Sequence, residues 1–154
     1  MKITDRLNVE HGVFLGLLEQ LDDLVSRDPA PSVIGAAVTT ILAVIEPHCR
    51  FEDEHFYPVL REALGRDFPP LVAVDAEHRA VEGLCRALRA GSWDPATVTA
   101  LTRSLRAHIE KEIHLVFPLA EEWIPAETLA RASDWYAEHV HERAHRRSAR
   151  PSRA

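Results

Sequence analysis

The sequence predicts an all-α fold, an antiparallel up-down four-helix bundle with a short fifth C-terminal helix. Three observations predict it. Only 6 glycines interrupt 154 residues in which Leu, Ala, Glu and Arg are plentiful, and those four side chains lose little freedom in a helix. Prolines and glycines cut the chain into segments whose apolar residues recur at steps of three and four, the period of one helical face. No segment alternates apolar and polar residues as a half-buried strand does. At 46% hydrophobic and 27% charged, residues 1–143 suit one domain with a core that needs no disulfide staples. The Arg-rich stretch 144–154 reads as a basic, disordered tail.

The first helix is expected over about residues 4–27, with Asp5 in its first turn and Asp28-Pro29-Ala30-Pro31 as the break. Its buried stripe reads Leu7, His11, Leu15, Leu18, Leu21 and Val25. The second opens at Pro31-Ser32, a good first-turn signal. Its stripe runs Ile34, Val38, Ile41, Ile45, His48, Glu52, His55 and Val59. Pro47 inside it removes a backbone hydrogen bond and could kink it. The third follows Pro69-Pro70 and ends at Gly91, burying Leu71, Val74, His78, Val81, Cys85 and Leu88. The fourth begins at Asp94-Pro95, an N-cap followed by proline at the first helical position. Its stripe is Val98, Leu101, Leu105, His108, Glu112, Leu115 and Leu119. A fifth, roughly 126–143, is amphipathic through Leu129, Trp135, Tyr136 and Val140.

These stripes contain an anomaly. The chain has nine histidines, and His11, His48, His78 and His108 fall one per helix in the apolar seam. Glu52 and Glu112 join them there. Unpaired polar groups in a core cost several kcal/mol, and a metal would satisfy all of them at once. Buried histidines hydrogen-bonded one by one are the plain alternative. It explains a single histidine better than it explains four in register.

His48 to Glu52 and His108 to Glu112 are both HxxxE. Residues four apart lie on one helix face, about 6 Å apart, so imidazole and carboxylate can reach one ion. The second carboxylate oxygen is free to bridge to a neighbouring ion. The first and third helices each offer an adjacent pair, Glu10-His11 and Glu77-His78, and each HxxxE is followed six residues on by proline, Pro58 and Pro118. The chain is thus an internal repeat, which implies a two-fold pair of ions. From His11 to the first break, and from that break to His48, the arms are each about 16 residues, roughly 24 Å of helix. From His78 to Gly91 and from Asp94 to His108 they are each about 13 residues, roughly 20 Å. Each histidine pair therefore meets at one level. The middle connection requires the second helix to bend or end near Pro58.

One His, then HxxxE, then one His, then HxxxE resembles the hemerythrin-like, or HHE cation-binding, family. The likeness spans about residues 4–122 and includes the endings Phe56-Tyr57-Pro58 and Phe117-Pro118. The resemblance implies a non-haem di-iron centre. His11 and His48 serve one iron and His78 and His108 the other, with Glu52 and Glu112 bridging. Imidazole and oxygen donors suit two iron ions, or manganese, and the lack of thiolates argues against structural zinc. Many members carry another histidine one turn before the third-helix one, where this chain has Val74 and Asp75. Asp75, three residues before His78, is the expected substitute ligand. His55 is read as a ligand, an outer proton donor or a residue at the bundle's end. Glu82 is a lesser candidate, and Cys85 is read as core.

A net charge of -6 speaks against nucleic acid as a partner. The longest apolar run, 39–45, is far too short to cross a bilayer, no signal-peptide pattern opens the chain, and two cysteines make no disulfide framework. A cytoplasmic setting is expected. The expected partner is dioxygen, peroxide or nitric oxide, with room for a small organic substrate. An acid at position 75 would favour higher oxidation states, hence an oxidase, oxygenase or peroxidase over a reversible dioxygen carrier. A sensing or storage module is a further reading. A ferritin-like site would instead use the acid-x-x-His spacings Glu52 to His55 and Asp75 to His78.

Overall fold

The computed structural model describes the backbone of residues 1–148 and the side chains through residue 139; residues 149–154 lie outside the described part. Among the described residues there are helices and no strand. Helix α1 spans Ile3–Ser26. Helix α2 begins at Pro31–Phe51, passes through a π-helical turn at Glu52–Phe56 and resumes over Tyr57–Leu64. Helix α3 is Pro69–Arg89. Helix α4 repeats the plan of α2: Pro95–Lys111, a π turn at Glu112–Val116, then Phe117–Trp123. Helix α5 is Ala126–Ser148. It is not short, and it takes in the first five residues of the expected tail.

The ends follow local chemistry. Asp94 caps α4 by accepting the Thr97 amide at 2.9 Å and the Thr97 hydroxyl at 2.6 Å, satisfying donors the helix leaves bare. Gly91, at φ 96°, turns the chain out of α3 in a conformation open to glycine. The Trp93 indole then lies so close to Gly35 that a Cβ there would meet it at 2.7 Å.

Helices α1 to α4 form a closed ring, α1 on α2, α2 on α3, α3 on α4 and α4 back on α1, while α5 lies along α1. Their inner faces make two apolar clusters. One holds Leu18, Leu21, Ile41, Val81, Leu101 and Leu105 toward the α1–α2 and α3–α4 turns. The other holds Ile3, Leu7, Phe56, Leu60, Val74 and Tyr136 at the opposite end. The buried polar residues His11, His48, Glu52, His78, His108 and Glu112 belong to neither cluster.

The π turns correct the expected stripes. Pro58 has no N–H for the helix ladder, and its ring would press on the carbonyl four residues back. Here the Tyr57 amide donates instead to the Glu52 carbonyl, five residues back, and Phe117 does the same to Glu112. Each turn takes in one extra residue, so every later side chain moves round the helix by one position. Phe56 and Leu60 are buried where His55 and Val59 were expected, and Val116 and Ala120 replace Leu115 and Leu119. The bend expected near Pro58 takes this form. Pro47 leaves the α-helix Pro31–Phe51 unbroken.

The helix Pro31–Leu64 is long enough, and over an 18-residue window of mean hydropathy 1.5 apolar enough, to cross a membrane, unlike the short run picked out in the sequence. In this fold its apolar stripe packs on α1 and α3 and carries His48 and Glu52 inward.

Candidate metal centre

The four helices of the ring bring six side chains to one buried seam: His11 from α1, His48 and Glu52 from α2, His78 from α3, and His108 and Glu112 from α4. Their donor atoms form two groups able to hold a metal ion. His11, His48, Glu52 and Glu112 make one, and Glu52, His78, His108 and Glu112 make the other. Glu52 turns a different oxygen to each: Oε1 is 2.9 Å from His48 Nε2, and Oε2 is 3.9 Å from His78 Nε2. Glu112 turns the same oxygen to both, with Oε2 3.2 Å from His11 Nε2 and 3.2 Å from His108 Nε2.

The contents of the seam fit a cation. Glu52 is fully buried and its Oε2 has no hydrogen-bond partner, while its Oε1 and Glu112 Oε2 face imidazole nitrogens at 2.9 and 3.2 Å. Desolvated carboxylates are costly unless paired or bound to metal. The imidazoles meet nitrogen to nitrogen, His11 Nε2 to His48 Nε2 at 3.0 Å and His78 Nε2 to His108 Nε2 at 2.9 Å. Two nitrogens at about 2.1 Å from one ion and at right angles to each other would stand roughly 3 Å apart. Without a cation the seam balances charge with protons. Burial alone would depress His48, but Glu52 and Glu10 lift it to about 10. His108 is likewise raised against its burial, by Glu112, to about 9. Glu112, despite burial, is held well below the usual carboxylate range by His108 and His11.

Outer contacts aim the imidazoles. Glu10 Oε2 lies 2.7 Å from His48 Nδ1, and Asp53 Oδ1 lies 2.7 Å from His78 Nδ1. Glu77 Oε2 is 3.5 Å from His108 Nδ1, and the same carboxylate pairs with Lys111. Glu10, preceding His11, thus bonds the histidine of the next helix, while Glu77, preceding His78, faces its counterpart without a hydrogen bond. A carboxylate on the outer nitrogen turns the inner lone pair toward the metal and makes it more basic. His11 Nδ1 has no partner. In the repeat, Ile113 stands where Asp53 stands in the other half. The aromatic before each proline also differs. The Tyr57 hydroxyl donates to Glu112 Oε1, while Phe117 stacks on His11 with ring centres 5.3 Å apart.

A family model, the hemerythrin HHE cation binding domain, matches residues 2–120. The chain belongs to this family. Comparison with curated proteins and with solved structures finds no match. The hemerythrin domain carries a metal-cation site, and its paired His/Glu groups are the residues able to hold the metal.

Of the seven residues expected at the centre of this hemerythrin domain, the structure brings six together. The seventh, Asp75, stands apart. Its carboxylate pairs with Arg61, and the neighbouring Val74 is the residue buried on that face, in the apolar cluster. His55 is rotated outward by the π turn and lies against Trp135, ring centres 3.9 Å apart. With both outside the seam, the ferritin-like acid-x-x-His arrangement is not formed. Glu82 lines a cavity of about 460 Å³ between α2 and α3 that His78, Asp53, Cys49 and Cys85 also line. Both cysteines are free, and burial pushes the Cys85 thiol up to about 11.

Two tyrosines at the centre escaped the sequence reading. Tyr57 was visible only as part of an aromatic-proline ending, and Tyr136 as one apolar position of the fifth helix. A hydroxyl's partner lies on another helix, so no spacing along the chain announces it.

Proposed function

We propose that this hemerythrin domain holds two iron ions and reduces dioxygen or peroxide at them, acting as a redox enzyme rather than a reversible carrier. The observation that carries the reading is the pair of donor groups sharing Glu52 and Glu112. Two ions joined by carboxylates would supply two electrons in one encounter. Four donors to a group, two of them shared, leave positions open for an added oxygen ligand. His11 and His48 would hold one ion and His78 and His108 the other. Manganese would share the carboxylate donors.

The chain supplies the rest of what reduction requires. Reducing peroxide to water consumes two protons with the two electrons. Tyr57 stays protonated, since burial and Glu112 both push its ionisation well above the usual phenol range, and its hydroxyl donates to Glu112 Oε1 and so positions that carboxylate. Apolar clusters pack above and below the centre. The cavity beside His78 gives a small molecule a place next to the centre. Asp75 adds no negative charge to the centre, because its carboxylate pairs with Arg61. Free thiols at Cys49 and Cys85 fit a reducing cytoplasm.

The test is anaerobic loading with iron(II), metal analysis, and rapid mixing with hydrogen peroxide or dioxygen. Two irons per chain, a near-ultraviolet band on oxidation and repeated peroxide consumption with a reductant are expected. Dioxygen taken up and returned intact on lowering its pressure would make the protein a carrier. A protein that holds no transition metal would end the reading.

A further inference from the structure

The matched domain ends at residue 120, and α5 starts at Ala126. One side chain of α5 nevertheless reaches the centre. Tyr136 is buried, and its hydroxyl donates to Glu10 Oε2 at 2.6 Å. The same oxygen lies 2.7 Å from His48 Nδ1. An ionised carboxylate only accepts. Both must therefore donate. Nδ1 of His48 carries a hydrogen, and Nε2, the nitrogen turned toward His11 and Glu52, is the one left to take an ion once its own proton is displaced.

The other half of the repeat has no such arrangement. Glu77, the counterpart of Glu10, is paired with the cation Lys111 and stands 3.5 Å from His108. Among the described side chains of α5, none pairs with it. The ring of Tyr136 also packs edge-on against Phe51, centres 4.5 Å apart, so its apolar and polar parts have separate partners. Packing is kept by phenylalanine, and the hydroxyl is not.

We propose that Tyr136 is a positioning residue for the ion held by His11 and His48, acting through Glu10, and that α5 is thereby an integral part of the metal centre. This rests on the two-ion reading above. Linkage makes the relation reciprocal. If the docked hydroxyl tightens one ion, that ion tightens the docking of α5 by the same factor. Any partner that draws α5 away from α1 would loosen one ion and spare the other.

The experiment compares wild type, Tyr136→Phe and Glu10→Gln by anaerobic iron(II) titration against a competing chelator. Amide exchange of residues 126–139 is followed with and without iron. Loss of an outer hydrogen bond to a metal-bound histidine weakens binding by about 10–100-fold. Tyr136→Phe should weaken one of two ions by about 10-fold, leave the other at wild-type affinity, and remove the iron-dependent protection of α5. Glu10→Gln should weaken the same ion, and the double variant should add little. Wild-type affinity for both ions in Tyr136→Phe, or α5 exchange indifferent to iron in wild type, overturns the proposal. A wild-type chain that binds no iron sinks the two-ion reading instead, and is told apart by metal content alone.

Discussion

Asp53 Oδ1 sits 2.7 Å from His78 Nδ1, whereas His11, the matching histidine of the other half, has Nδ1 without a partner. The repeat puts Ile113 where that acid would be. The His11 imidazole is oriented by stacking on Phe117 and gains no basicity from a carboxylate. Ile113→Asp should supply the missing acceptor. Affinity for the weaker of two ions is expected to rise by about 10-fold, read from a competitive metal titration. An unchanged affinity would mean that the repeat does not place position 113 at His11.

The π turn predicts opposite outcomes for neighbouring residues. Phe56 is 2% exposed in the apolar cluster, so Phe56→Ala should cost about 3–5 kcal/mol. His55 lies on the surface side against Trp135, and His55→Ala should cost no more than about 1 kcal/mol. An uninterrupted α-helix would reverse the order. Urea denaturation of both variants in the metal-free state decides it.

Glu52→Ala and Glu112→Ala each remove a carboxylate shared by both donor groups. Metal content should fall from two ions toward one or none while helicity measured by circular dichroism persists. Asp75→Ala is the control. It breaks a half-exposed pair with Arg61, should cost about 1 kcal/mol or less, and should leave the metal content unchanged.

Metal uptake should release protons. In the metal-free protein His48 and His108 hold protons up to about pH 10 and 9, and an ion must displace them. Near pH 7, full loading is expected to liberate about two protons per chain, measured in weak buffer with an indicator dye. Apparent affinity should climb with pH until those histidines lose their protons unaided. Stability of the metal-free chain moves the other way. Raised histidines contribute stability that is complete below 6.5, their unfolded value, and is lost as pH rises through about 9 to 10. The lowered Glu112 contributes stability present above 4.5 and lost as pH falls below it. Melting temperature without metal should therefore peak between these limits, and a rise from pH 7 to 10 would contradict the assignment.

Tyr57→Phe leaves Glu112 Oε1 buried without its donor. About 1–3 kcal/mol of stability should be lost in the metal-free protein, and peroxide turnover should slow if that hydroxyl positions the Glu112 carboxylate. Denaturant titration and steady-state kinetics report the two effects separately.

Much of this molecule was written in local spacing. The stripe of α3 matches residue for residue, because helical period alone decides which side chains of an unbroken helix face inward. HxxxE places His48 above Glu52 and His108 above Glu112 by the same rule. In α2 and α4 the stripes hold as far as Glu52 and Glu112 and slip by one residue beyond them. Pro58 and Pro118 were visible in the sequence, but their resolution into π turns was not. In α1, Phe14 rather than Leu15 enters the core, where it meets the edge of the His48 ring at 4.9 Å.

By itself, then, the order of residues determined the helices, their antiparallel pairing and the four imidazoles and two carboxylates that share a level, since all follow from periods and arm lengths along single helices. Tertiary packing alone decided which acid aims which imidazole, that Asp75 turns to Arg61, and that Tyr57 and Tyr136 reach the centre. Those contacts join helices up to 126 residues apart in the chain. Only the angle and depth at which two packed helices meet can select them.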